Sequence, residues 1–132
     1  MVDLVRVTPQ WIAGAAGREI PFPVAAYVAI DEGSAVAAFG LAWHHDRCWL
    51  WFGDAPVERR FAVYVIRWGQ RMLRLAGQMG ETEVYSMRVE GPKSKRLHER
   101  LGFQFVGSEP IAFDDGHETT EEIWRYGIVG DN

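Results

Sequence analysis

The stretch from Val57 to Leu75 constrains this chain more than any other. Phe61, Val65, Trp68, Met72 and Leu75 recur at steps of three and four, with Arg60, Arg67, Arg71, Arg74 and Gln78 opposite them. That is the pattern of a helix with one buried stripe and one solvated face. It lies between two strand-like runs, Cys48 to Phe52 before it and EVYSMRV after it. A strand, helix, strand step of this kind closes as a right-handed crossover with its two strands parallel. The first of those strands is apolar on both faces, so it is expected at the centre of a sheet covered on each side.

The remaining punctuation fills in the order. Thr8-Pro9 has the form of an N-cap followed by proline at the first helical position, which predicts a short helix from Pro9 to about Ala16. PVAAYVAID and SAVAAFGLAW are apolar runs separated by Glu32-Gly33 and read as a hairpin, and HHDR then leads into Cys48 to Phe52. Three antiparallel strands therefore precede the long helix, which Gly77 and Gly80 end. Gly91-Pro92 opens a second, shorter helix, KSKRLHERLGF, on which Ser94, Leu97, His98 and Leu101 share one side. FQFVG and EEIWRYGIV complete the chain as strands joined across DDGHETT, where Asp115-Gly116 is a turn pair. The expected architecture is a single-domain mixed α/β sheet with helices on both faces: antiparallel strands first, a parallel pair at the crossover, and two further strands at the end.

Length and composition agree. A chain of 132 residues buries one core and not two, and 48% apolar with 24% charged residues is ordinary for a soluble protein. No run reaches the about 20 apolar residues of a membrane helix. MVDLVRVTPQ alternates apolar and charged residues, unlike a secretory signal. A single cysteine, Cys48, allows no internal disulfide and too few ligands for a cysteine-type zinc site, which fits a reducing cytoplasm. The net charge of −4 is unevenly spread, with ten Arg or Lys against four acids from Arg59 to Arg100, and seven acids against one arginine from Glu109 onward.

Several tempting residues have plainer readings. His44, His45 and Asp46 fall in the turn entering the central strand. Asp114, Asp115, His117 and Glu118 carry metal-capable groups but crowd one loop without ligand spacing, so no metal is expected. Trp43, Trp49, Trp51, Trp68 and Trp124 fall mostly on core faces, where large aromatics belong in a small domain.

The element order, the LHERLGF ending that runs into FQFVG, and the long helix after a strand ending Phe52-Gly53-Asp54-Ala55-Pro56 together resemble the GNAT superfamily of acyl-CoA-dependent N-acetyltransferases. The likeness spans Val24 to Ile128. It implies that the central strand and the strand after the long helix part at their C-terminal ends, and that acetyl-CoA enters the resulting V. Its pyrophosphate would then meet the loop opening the long helix, where free N–H groups and the positive end of the dipole lie. The implied cofactor-binding residues are Trp51, Phe52 and Gly53 on the strand, and Arg59, Arg60, Phe61, Ala62, Val63 and Tyr64 on the loop. The family's loop has Gln or Arg, two residues, Gly, one residue, then Gly or Ala. Here Arg59, Ala62 and Tyr64 stand at those positions, so the glycines that let backbone approach phosphate are absent and the chain looks like a degenerate member. Arg59 and Arg60 are expected to contact phosphate directly instead.

The family often places a tyrosine four residues before the LGF glycine, where its hydroxyl protonates the departing thiolate. His98 occupies that position and is implied in the same role, against the plainer reading of a half-buried histidine beside Leu101. Glu90, near the mouth of the V, is the implied base for the amine, and backbone N–H groups from Trp51 to Gly53 the implied oxyanion donors. The resemblance thus implies acetyl transfer to an unidentified amine acceptor. One alternative is a catalytically inactive scaffold or virion assembly protein with protein partners, of the kind that phage-encoded relatives supply. Another is a nucleic-acid binder using Arg60, Arg67, Arg71, Arg74 and the cations of the short helix, though it has no recognised binding motif. A homo-oligomer is compatible with each.

Overall fold

The computed structural model describes residues 2–8, 22–53, 57–88, 92–112, 116 and 118–128. Within them one sheet contains β1 (Val2–Val7), β2 (Val24–Asp31), β3 (Ser34–His44), β4 (Arg47–Phe52), β5 (Glu83–Arg88), β6 (Gln104–Ala112) and β7 (Glu118–Gly127). Their spatial order is β1-β2-β3-β4-β5-β7-β6. β4 and β5 are parallel, and every other neighbouring pair is antiparallel. A 3-10 turn at Arg59–Phe61 leads into helix α1 (Ala62–Gln78), which links β4 to β5, and helix α2 (Pro92–Leu101) links β5 to β6. No helix among the described residues is long and apolar enough to cross a membrane.

The crossover, the three antiparallel strands and the closing hairpin are those expected from the sequence. β1 is an addition: VDLVRV pairs with β2 from Val2↔Asp31 to Val7↔Ala26 as an edge strand. Its alternation was visible, but a half-buried edge strand carries too little apolar signal to separate it from a tail. The helix expected from Pro9 to about Ala16 lies outside the described residues. Helix α1 starts at Ala62 rather than Val57 and runs past Leu75 and Gly77. Its buried stripe is also rotated slightly, to Trp68, Gly69, Met72, Leu73 and Ala76, with Val65 and Leu75 at the margin.

Local chemistry explains the corners. Glu32 and Gly33 have φ values of 50° and 79°, and His45 and Asp46 of 51° and 60°. Both are two-residue turns with positive φ at each position, whose twist matches that of the flanking strands. Of the four residues HHDR, then, only the middle two turn, while His44 and Arg47 pair in the ladder. The LGF ending of α2 is a Schellman motif: Phe103 N–H donates to the His98 carbonyl at 2.9 Å, Gly102 N–H to that of Glu99 at 3.1 Å, and Gly102 has φ 93°.

One face of the sheet, bearing Phe39, Leu41, Leu50, Val84 and Trp124, packs against Phe61, Trp68, Met72 and Ala76 of the α1 segment and Leu101 of α2. Trp68 stacks on Phe39 with centroids 5.3 Å apart. Full burial of side chains such as Phe39 and Met72 contributes about 1.5–3 kcal/mol each. The two helices meet where Gly69 allows Leu101 to approach: a Cβ there would lie 2.9 Å from the leucine methyls. Both described helices therefore share this face. Ala26, Val28 and Ile123 point to the other face and are also buried, as in a sheet covered on both sides.

Candidate functional site

β4 and β5 pair at a single register position, Trp49↔Tyr85. Beyond it β4 stays bonded to β3 as far as Phe39↔Phe52, and β5 to β7 as far as Arg88↔Glu122. Each strand thus leans on its outer neighbour and leaves the other, which opens a V between their C-terminal ends. The closed end is held by side chains on the face away from the helices. The Trp49 and Tyr85 rings are 5.8 Å apart, the Arg47 guanidinium lies 4.5 Å from the Tyr85 centroid, and the same guanidinium donates to both oxygens of Glu109, at 3.1 and 3.2 Å.

On the β4 wall, Gly53 N–H donates to the Ala38 carbonyl at 2.7 Å, so it faces β3. Amide direction alternates along a strand, which turns Trp51 N–H toward β3 as well and Phe52 N–H toward the V. The expected group of three oxyanion donors therefore narrows to Phe52. The Trp51 ring lies against Gly40, where an added Cβ would also strike the Ala25 carbonyl. Among the described residues its buried indole N–H has no acceptor, a state that normally costs about 1–3 kcal/mol.

The first turn of the long helix holds no acid and its N-cap residue, Phe61, makes no side-chain cap, but the 3-10 turn before it bonds Phe61 N–H to the Glu58 carbonyl at 2.9 Å and Ala62 N–H to that of Arg59. The positive end of the dipole therefore falls at the 3-10 turn, beside Glu58. Ala62, Val63 and Tyr64 are exposed there, and the Tyr64 ring lies 6.3 Å from that of Phe61 and 6.0 Å from that of Trp68. Phe61 is itself buried in the core, not presented to solvent. The two arginines differ. Arg60 donates to Glu58 at 2.8 Å and lies 3.7 Å from Asp31, and the hydrogen bond to Glu58 first, then its charge, raises its pKa. Arg59 is exposed and has no ion-pair partner among the described residues.

His98 is 8% exposed, more buried than a position on the margin of the stripe suggested. Its Nδ1 lies 2.8 Å from the Ser94 carbonyl, and its Nε2 2.8 Å from Ser86 Oγ. A carbonyl only accepts, so Nδ1 carries the proton, and Nε2 of the neutral ring accepts from the Ser86 hydroxyl. The ring also contacts Phe103 and Trp124, each with centroids 5.6 Å away. Ser86 follows the last paired residue of β5 and faces the helices. Sequence reasoning passed over it, although alternation in EVYSMRV puts it on the face of Val84, and a buried hydroxyl needs a partner. Trp124, opposite Ser86 on β7, has a second buried indole N–H with no acceptor among the described residues.

Other candidates separate from the V. Cys48 is buried, and burial first and Glu81 second push its thiol up to about 12, which keeps it protonated and unreactive. His44 and His45 sit at the β3–β4 turn, as their sequence position suggested. Glu90, Asp114, Asp115 and His117 lie outside the described residues, and among those described no group of His, Cys, Asp or Glu is placed to hold a metal ion.

No protein-family model matches the chain, and no curated protein does. Solved structures do. An N-acetyltransferase from Staphylococcus aureus Mu50 superposes with a TM-score of 0.68 over 96% of this chain and 97% of that one, at 10% identity. An IAA acetyltransferase from Bacillus cereus ATCC 14579 gives 0.64 over 97% and 100%, at 14% identity. An aminoglycoside acetyltransferase solved in complex with coenzyme A gives 0.63 over 96% and 95%, at 11% identity. Identities this low establish architecture and leave chemistry to the site. The mixed seven-stranded sheet with its parted β4 and β5 is the GNAT fold.

Proposed function

We propose that this protein binds acetyl-CoA in the V between β4 and β5 and transfers the acetyl group to an amine. The observation that carries the reading is the parting of the two strands after Trp49↔Tyr85, within a fold whose solved examples include one holding coenzyme A. The groups present fit such a ligand at both ends. Phe52 N–H offers a donor from the β4 wall at the thioester end, and the exposed guanidinium of Arg59 at the start of the long helix offers donors for phosphate.

Acetyl-CoA would supply an acyl group already activated as a thioester. The chain's own part is to orient it and to manage protons. Phe52 N–H stabilises an oxygen that gains charge beside β4. With Nδ1 bonded to Ser94, His98 presents Nε2 to Ser86 and gives up a proton there only from its doubly protonated form. Glu90 is the base proposed for the incoming amine. A second reading, a scaffold that keeps the fold without the reaction, is favoured by one feature: Ala62 and Tyr64 stand where backbone would approach phosphate most closely.

Calorimetric titration with acetyl-CoA separates the two. On the transferase reading it binds, with Kd in the micromolar range. Arg59→Ala should then weaken it about tenfold, the loss of one charge-assisted phosphate contact, and Arg60→Ala much less, because Glu58 and Asp31 already engage that guanidinium. Absence of heat at millimolar cofactor would leave the scaffold reading standing.

A further inference from the structure

We propose that the helical layer of this protein is a docking face for the phosphodiester backbone of a nucleic acid, a partner additional to the ligand of the V. Charge in this chain is segregated by layer. Residues 59–78 and 92–101, which form the helical layer, hold nine Arg or Lys and one acid, whereas the rest of the chain holds five and seventeen. The layer therefore carries +8 and the remainder −12. Glu58 and Asp31 lie beside Arg60 at one end of this layer, and a polyanion is drawn to the cations beyond that end.

The cations are free to act. Arg67, Arg71 and Arg74 are exposed along one flank of α1, and none has an ion-pair partner among the described residues. Arg71 and Arg74 overhang a groove of about 320 Å³ whose other lining residues are Gln78, Tyr27, Met72 and Leu75. Every polar group around it can donate a hydrogen bond, and none is acidic. On α2, Arg96 and Arg100 are exposed as well, while Lys95 lies 4.0 Å from Glu99.

The ligand of the V does not account for this stripe. At about 1.5 Å rise per residue, Arg67 and Arg74 lie about 8 and 18 Å along the axis from Ala62, on the exposed flank of α1. A protein partner accounts for it less well than a nucleic acid does. Protein interfaces centre on large apolar or aromatic anchors, and the exposed ones in this layer are Val63 and Tyr64 at the start of α1, with the Arg67 guanidinium 6.0 Å from the Tyr64 ring, and Met79 just past its end, with none lining the groove of Arg71 and Arg74. Nucleic-acid interfaces are instead polar and strongly positive, and guanidinium pairs with phosphate through two parallel hydrogen bonds.

The test is fluorescence anisotropy of labelled single-stranded and duplex oligonucleotides of about 20 nucleotides across a salt series. Affinity should fall with salt along a log–log slope of about −2 or steeper, the value for three phosphates neutralised on a single strand, and the two probes distinguish which form is preferred. Arg71→Glu and Arg74→Glu should each weaken binding about fivefold or more at 100 mM salt and flatten the slope by about 0.7. Arg71→Gln serves should a reversal unfold the chain. Arg125→Glu, the same charge change on β7, should leave binding as it is. Saturating acetyl-CoA should leave it unchanged too, whether or not acetyl-CoA binds. No binding at 50 mM salt, an equal loss in Arg125→Glu, displacement by acetyl-CoA, or equal affinity for polyglutamate would each overturn the proposal, the last in favour of an acidic protein partner.

Discussion

At the scale of single residues, burial decides what a side chain can do more firmly than its type does. Cys48 illustrates the sign of such an effect. Its thiol is pushed up to about 12 in the folded chain from an ordinary 9.0, by burial first and Glu81 second. Folding therefore favours the protonated form, and the associated stability is complete below pH 9 and is lost as pH rises toward 12. The limiting slope is about 1.4 kcal/mol per pH unit. Urea unfolding should accordingly show stability falling above pH 9 more steeply in the wild type than in Cys48→Ala, even though the variant starts lower from its cavity. Parallel pH profiles would mean that the thiol ionises freely in the native state. His98 teaches the complementary lesson. Its place on the edge of an apolar stripe was legible, but its pairing with Ser86 was not, because that contact crosses from α2 to β5 and depends on a register no local pattern encodes.

Between elements, legibility followed the strength of the local signal. The long helix, the crossover and the hairpins were readable because period, turn chemistry and chain direction agree there. β1 was not, since it is a short edge strand with half its residues in water. The LGF ending is a motif in the sequence, and its mechanism lies in the backbone. Gly102 supplies the left-handed residue of a Schellman cap and also lets the Tyr126 ring approach, 3.1 Å from where a Cβ would stand. Gly80 has nearly the same φ, 94°, with open space around it. Gly80→Ala should thus cost the backbone term alone, about 1 kcal/mol, and Gly102→Ala should cost more because the ring must also move. Equal urea midpoints for the two variants would show that Tyr126 yields without penalty.

Over the whole molecule, the sheet is two sub-sheets, β1-β2-β3-β4 and β5-β7-β6, that share one paired position. What opens the V is therefore also what makes the junction weak, and side chains must hold it. The helices do so on one face, where Trp68 and Leu101 join the same core. On the other face Arg47 does so, standing on the Tyr85 ring and gripping Glu109 on the outermost strand of the far sub-sheet. This interaction was invisible in the sequence, since Arg47 and Glu109 are 62 residues apart and Arg47 read as part of a turn. Both partners are partly solvated, so the net contribution to global stability is modest, about 1 kcal/mol. Its effect on the junction is larger than on the whole, because few other contacts tie the sub-sheets together there. Arg47→Ala should speed hydrogen exchange at the Trp49 and Tyr85 amides while leaving the β2–β3 ladder protected, and should weaken any ligand held in the V by loosening its closed end. If exchange instead rose evenly through both sub-sheets, the sheet would open as one unit and the hinge at Trp49↔Tyr85 would be a matter of geometry alone.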